Sequence, residues 1–147
     1  MKINYYGNFL KNEKIAINDA LNIFELFFPL DNYIFVELHS INKIESKNLN
    51  NEYFDKNYST DVITLPIFKN YKCLLHSNFK ENVILGDIFI CKDELKINAE
   101  KYEKSLKEEL QLVLVHGLLH LLGFSHNQET KLKNYEEKIL SKLWNEK

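Results

Sequence analysis

Arginine is absent from this 147-residue chain, because all 19 cationic residues are lysines. No guanidinium fork is therefore available for bidentate contact with a phosphate or a carboxylate. The 21 acidic residues leave a formal net charge of −2, which gives the chain no overall attraction toward nucleic acids or acidic membranes. Attraction to a polyanion would have to come from local patches of lysine.

Cysteine and long apolar runs are also scarce. Cys73 and Cys91 are the only cysteines, and since neither belongs to a CxxC pair or a disulfide framework, we expect both to pack as small apolar side chains. The longest apolar stretch, Leu112 to Phe124, is shorter than the roughly 20 residues that span a bilayer. The opening residues, MKINYYGNFLKNEK, lack the apolar core of a signal peptide. We therefore expect a cytoplasmic protein with no membrane partner.

The remaining pattern predicts one α+β domain over residues 1–147, in which helices cover a small mixed β-sheet. Asn42 and Glu45 have the spacing of a capping box, and Asp93 is expected to cap a long central helix that ends at Gly123. Pro66 marks its strand as an edge strand or a bulge. The predicted strands lie at 2–6, 33–39, 60–68 and 83–91, and the predicted helices at about 14–28, 43–53, 94–122 and 128–145.

Residues 116–126 read HGLLHLLGFSH and concentrate three of the five histidines. His116 and His120 are four apart, so on a helix both rings lie on one face and can converge on one metal ion. Gly123 can end the helix in a left-handed turn that brings His126 to the same metal. Three imidazoles leave a fourth position for water, as in catalytic zinc sites. Zn²⁺ is expected at the end of the central helix, although another divalent transition metal such as Ni, Cu or Fe would also suit imidazole. The alternative is a pair of hydrogen-bonded core histidines.

Gly117 helps to distinguish between the reactions that a metal at this site could catalyse. Proteases with this histidine spacing have the pattern HExxHxxGxxH, in which the Glu beside the first His is the general base. Gly117 has no side chain to transfer a proton. The spacing therefore predicts a metal site, and the glycine argues against a metalloprotease, which stays the less favoured alternative.

Three segments resemble the YbeY endoribonuclease family of rRNA maturation factors. HGLLHLLGFSH is similar to the family's HGxLHLxGYDH, STDVITLPIF (59–68) to its TDVLSFP segment, and LGDIFIC (85–91) to its LGDIVIC strand. The resemblance implies a metal hydrolase that binds one zinc ion through His116, His120 and His126. It also implies single-stranded rRNA as substrate, the ribosome or its small subunit as partner, and a role in rRNA maturation and ribosome quality control. No dinucleotide cofactor is expected.

Two positions depart from the family pattern. Ser125 replaces the Asp that usually precedes the third histidine. Alignment on LNNEYFDKNYSTDV places Phe54 where the family has an Arg that is important for activity, so a cation that would neutralise phosphate charge is missing there. Lys56, two residues on, can supply a point charge. These departures keep open a second function, a metal-binding ribosome assembly factor with little or no nuclease activity.

The candidate catalytic residues are Lys56, Asp61 and Asp87. Each aspartate either orients a ligand histidine or accepts hydrogen bonds from backbone amides at a turn, and turn chemistry favours the second interpretation. His39 and His76 match no ligand spacing and are expected to be ordinary.

Surface charge offers one further candidate. The predicted loop at 69–80 contains Lys69, Lys72 and Lys80, with Tyr71 and Phe79 between them. This loop is the best candidate for an RNA-contacting patch. A solvated loop is the simpler interpretation. The charge runs KEE (107–109) and EEK (136–138) are expected to be solvated helix faces.

Overall fold

The computed structural model describes residues 1–70, 82–124 and 128–145. It confirms a small α+β domain with a mixed four-stranded sheet and helices packed on it. The strands are β1 (Lys2–Tyr6), β2 (Ile34–Ile41), β3 (Val62–Pro66) and β4 (Val83–Cys91). The helices are α1 (Lys11–Phe27), α2 (Lys43–Phe54), α3 (Lys92–Lys101), α4 (Leu106–Leu121) and α5 (Glu129–Asn145).

The strand order in the sheet is β1-β2-β4-β3. β1, β2 and β4 run parallel, whereas β3 pairs antiparallel with β4 and forms one edge of the sheet within the described residues. Pro66 ends this edge strand, as predicted, because a residue without an N–H is tolerated where no ladder hydrogen bond is needed.

The core lies between the sheet and the helices α1, α4 and α5. Alternate residues of β2, Val36 and Leu38, are fully buried, and so are Ile88 and Ile90 of β4. This period of two is what a sheet with one covered face requires. α4 is apolar nearly all round and contacts α1, α3, α5, β3 and β4, so it is the central helix of the domain.

The capping box predicted for α2 is present. The Asn42 side chain accepts a hydrogen bond from the Glu45 amide at 2.8 Å, and the Glu45 carboxylate accepts one from the Asn42 amide at 3.3 Å. The helix ends at Phe54 and is capped by Asp55, whose φ of +55° is left-handed.

The long helix predicted over 94–122 is wrong. The chain forms α3 and then restarts as α4, because Ser105 and Glu108 make a second capping box, with hydrogen bonds of 3.1 Å in both directions. The cap predicted at Asp93 is also wrong. Cys91 occupies the N-cap position of α3 and forms no side-chain cap bond. Cys91 is buried, as expected of a small apolar side chain, and Cys73 lies outside the described residues.

Across the described ranges, no helix has both the length and the apolar character needed to cross a bilayer.

Candidate metal centre

The last turns of α4 bring His116 and His120 together. Their Nε2 atoms are 3.0 Å apart, and their rings meet at 74° with centroids 4.6 Å apart. This is the geometry predicted from the four-residue spacing. Both residues are partly exposed rather than sealed in the core.

Glu136 of α5 contacts the ring nitrogen of His116 that does not face His120. Its Oε2 atom is 2.8 Å from Nδ1 of His116. Because a carboxylate only accepts, Nδ1 of His116 carries a proton, and in the neutral ring this leaves the lone pair on Nε2, the atom that faces His120. The side chains of His116 and Glu136 are 37% and 19% exposed, so water screens the pair only in part.

Glu136 is a site residue that the sequence pattern did not predict, and the expectation that EEK (136–138) is a solvated face is wrong at this residue. Glu137 and Lys138 are exposed as expected. A signal was present, since Glu136 is four residues after Leu132 and three before Ile139, both buried. It therefore lies in the apolar stripe of α5, where a carboxylate needs a partner.

Gly117 lies between the two histidines because α4 packs closely on the sheet. A Cβ at this position would be 3.1 Å from Cδ1 of Ile88 and 3.2 Å from Cγ2 of Thr64. The residue is buried and directed at β3 and β4. The glycine is thus explained by packing, and without a side chain it supplies no general base for a protease.

Gly123 makes the left-handed turn predicted for it, with a φ of +98°. A Cβ there would be 2.5 Å from Cα of Asn70 and 2.6 Å from the Lys69 carbonyl oxygen, so only glycine fits. His126 and Ser125 lie outside the described residues. Within the described part of the chain, no three His, Cys, Asp or Glu side chains are grouped to hold a metal.

A cavity of about 590 Å³ opens beside the histidine pair. Lys56 and Phe54, both singled out from the sequence, line it together with Lys69. Lys72, Lys80, Tyr71 and Phe79 of the predicted RNA-contacting patch lie outside the described residues. The full lining is Asn50, Phe54, Lys56, Tyr58, Thr60, Val62, Ile63, Thr64, Pro66, Ile67, Phe68, Lys69, His116, His120, Gly123 and Phe124.

Neither candidate aspartate is among the described residues that line this cavity. Asp61 accepts hydrogen bonds from the Val62 amide at 2.8 Å and from the Asn98 side chain at 3.2 Å. Its role is therefore the backbone contact that turn chemistry favoured.

Asp87 neither contacts a candidate ligand histidine nor lies at a turn. It lies inside β4 and contacts Nε2 of His39 on β2 at 2.9 Å. The His39 ring is stacked on Tyr6 and on Phe89, with centroids 4.8 and 4.2 Å away. His39 is thus held on the sheet and is not among the described residues that line the cavity. His76 lies outside the described residues.

The expectation that KEE (107–109) is solvated is wrong at Glu109, which is only 3% exposed. Its Oε2 atom has no hydrogen-bond partner among the described residues. Burial raises the pKa of this carboxyl group; Lys104 opposes the rise and Asp61 adds to it.

The fold and site define a small α+β domain with a histidine pair on the wall of a cavity. A family model described as Endoribonuclease YbeY matches residues 8–144, and the chain belongs to that family. This confirms the resemblance seen in the sequence.

Individual relatives agree with this assignment. The protein named Endoribonuclease YbeY from Phytoplasma australiense is 34% identical over 82% of this chain and 83% of its own length. The protein of the same name from Caldicellulosiruptor bescii is 35% identical over 88% of this chain and 85% of its own. The solution structure of a Thermotoga maritima protein matches 98% of this chain and 90% of its own with a TM-score of 0.68. At 21% identity, that likeness supports the fold alone.

Proposed function

We propose that this protein is a zinc-dependent endoribonuclease that cleaves single-stranded RNA in the cytoplasm, in rRNA maturation and ribosome quality control. The observation that carries the proposal is the His116–His120 pair, whose facing nitrogens lie on the wall of a cavity that also holds lysines. Its relatives are named as endoribonucleases, and the resemblance of HGLLHLLGFSH to the family motif supports the ribosomal role.

The donor set fits zinc. Tetrahedral coordination with Zn–N bonds of about 2.0–2.1 Å separates two ligand nitrogens by roughly 3.3 Å, close to the 3.0 Å between the Nε2 atoms here. The hydrogen bond from Nδ1 of His116 to Glu136 is the contact that metal-binding histidines commonly make with a carboxylate. By the motif, His126 would be the third ligand.

The chemistry follows from this donor set. When bound, zinc lowers the pKa of a water molecule toward about 7 and polarises a phosphate oxygen. Glu136 holds the proton on Nδ1 of His116, and Lys56 and Lys69 attract the phosphate backbone into the cavity. The nucleophile is either water or the 2′-OH of the RNA. The ends of the products separate these two routes, because attack by the 2′-OH leaves a 2′,3′-cyclic phosphate.

A second function is favoured by Phe54. This residue lines the cavity, and the chain has no arginine. By the resemblance seen in the sequence, Phe54 stands where the family has an arginine. A ribosome assembly factor that binds metal and cleaves little RNA would tolerate this change.

One experiment decides between the two functions. The purified protein is incubated with single-stranded rRNA, with and without a chelator, beside His116→Ala and a control, His39→Ala, whose histidine lies outside the cavity lining. The nuclease proposal predicts cleavage that the chelator and His116→Ala abolish and that His39→Ala retains. No cleavage by the zinc-loaded protein, together with co-sedimentation with ribosomes, would support the assembly factor. Digestion of casein would support the metalloprotease.

A further inference from the structure

Two aromatic rings on the cavity wall are left open to solvent. Phe54 is 47% exposed and Tyr58 is 56% exposed, and both line the cavity that contains His116 and His120. Core packing does not explain side chains so exposed. Two exposed rings facing one cavity are instead typical of a surface that receives a flat ligand.

The segment that carries these rings is held in place by Asn50, which is only 4% exposed. Its side-chain amide donates to the Tyr58 carbonyl oxygen at 2.9 Å, and its own carbonyl accepts from the Lys56 amide at 3.2 Å. Asp55, in its left-handed conformation, turns the chain between these contacts. The rings are therefore presented on an ordered backbone before any ligand arrives, which lowers the entropic cost of binding.

The charge of the cavity wall selects an anionic ligand. The chain has 21 acidic residues and a net charge of −2. None of the described lining residues is an aspartate or a glutamate, whereas Lys56 and Lys69 both line the cavity. A surface that combines exposed rings, lysines and no carboxylate fits a strand of phosphates that carries unpaired bases.

We propose that Phe54 and Tyr58 form a base-stacking site for an unpaired nucleotide of the RNA, with Lys56 and Lys69 on its phosphates. This rests on the proposed function in taking the bound strand as RNA. Bases inside a duplex already stack on their neighbours, so the site selects single strands and is tolerant of sequence. By the resemblance seen in the sequence, Phe54 stands where the family has an arginine, so its ring supplies stacking where the family has a charge.

The test uses a short single-stranded oligonucleotide that contains the fluorescent base 2-aminopurine, whose emission falls when it stacks. The strand is 2′-O-methylated to withhold the 2′-OH, and a gel confirms that it stays intact. Phe54→Ala and Tyr58→Ala should each weaken binding by roughly 5- to 150-fold and lessen the quenching. Phe54→Tyr should restore both. The matched control is Tyr53→Ala, whose ring is 52% exposed on the same helix and is not part of the cavity lining.

An abasic strand of the same length separates stacking from charge. The proposal predicts that Phe54→Ala binds this strand as the parent protein does, whereas Lys56→Ala binds it more weakly. Equal binding and quenching in the parent, Phe54→Ala and Tyr58→Ala would overturn the stacking site, as would the same loss in Tyr53→Ala. Quenching that depends on Phe54 without RNA cleavage would refute the nuclease and leave the stacking site supported. RNA cleavage without quenching that depends on Phe54 would support the nuclease and refute the stacking site.

Discussion

If His116 binds a metal as proposed, the affinity for that metal should depend on Glu136. Its carboxylate accepts the Nδ1 proton of His116 at 2.8 Å. A hydrogen bond to a charged group contributes about 1.5–3 kcal/mol and a neutral one about 0.5–1.5 kcal/mol. Glu136→Gln keeps an acceptor and loses the charge, and Glu136→Leu loses both. Removing such a partner typically weakens metal binding about 10- to 100-fold, which corresponds to about 1.4–2.7 kcal/mol.

The partial exposure of His116 and Glu136 decides where each variant falls within this 10- to 100-fold range of lost metal affinity. With side chains 37% and 19% exposed, water screens part of the charge, so we expect about a tenfold loss of zinc affinity for Glu136→Gln. We expect a loss nearer 100-fold for Glu136→Leu. Competition with a chromophoric chelator measures both values. Glu137→Gln is the matched control, because Glu137 is the exposed neighbour on the same helix.

A second measurement separates orientation from general loss of structure. In the metal-free protein, nitrogen-15 NMR of the His116 ring should show the proton on Nδ1, and Glu136→Leu should show a mixture of tautomers. Zinc binding by Glu136→Leu that is as tight as in the parent would contradict this role of Glu136. A loss of affinity in Glu137→Gln that equals the loss in Glu136→Gln would also contradict it.

Two further predictions concern stability. Gly123→Ala forces a Cβ to 2.5 Å from Asn70 at a φ of +98°, and we expect a loss of about 2–4 kcal/mol in the free energy of unfolding, measured with urea. Gly117→Ala should lose less, because its helix gains about 1 kcal/mol of propensity; equal losses would contradict this. Burial raises the pKa of Glu109, so the folded state holds a proton that the unfolded chain releases, and stability falls as pH rises above the ordinary carboxyl pKa. Glu109→Gln should remove that part of the decline, whereas Glu100→Gln, at an exposed site, should keep it; parallel profiles for all three proteins would refute the assignment.

The parts of the site that depend on local spacing could be predicted from the sequence. His116 and His120 lie one helical turn apart, so their convergence needs only that α4 be a helix. The helix end at Gly123 could also be predicted, because glycine readily adopts the left-handed backbone that ends a helix. Pro66 indicated that its strand lies at the edge of the sheet, because proline has no N–H to donate to a neighbouring strand.

The parts that depend on packing could not be predicted in the same way. Glu136 reaches His116 from 20 residues away, and only the docking of α5 on α4 brings the two together. His39 meets Asp87 because β2 and β4 pair in a particular register. The break at Ser105 is a different case, since its capping box with Glu108 was visible but lay inside a run whose spacing already suggested a helix.

Elemental analysis of the freshly purified protein tests the central claim most directly. If the histidine pair holds a metal, the parent protein should carry about one zinc ion per chain, His116→Ala and His120→Ala should lose it, and His39→Ala should retain it. Zinc content far below one ion per chain after loading, or content unchanged in His116→Ala and His120→Ala, would contradict the account.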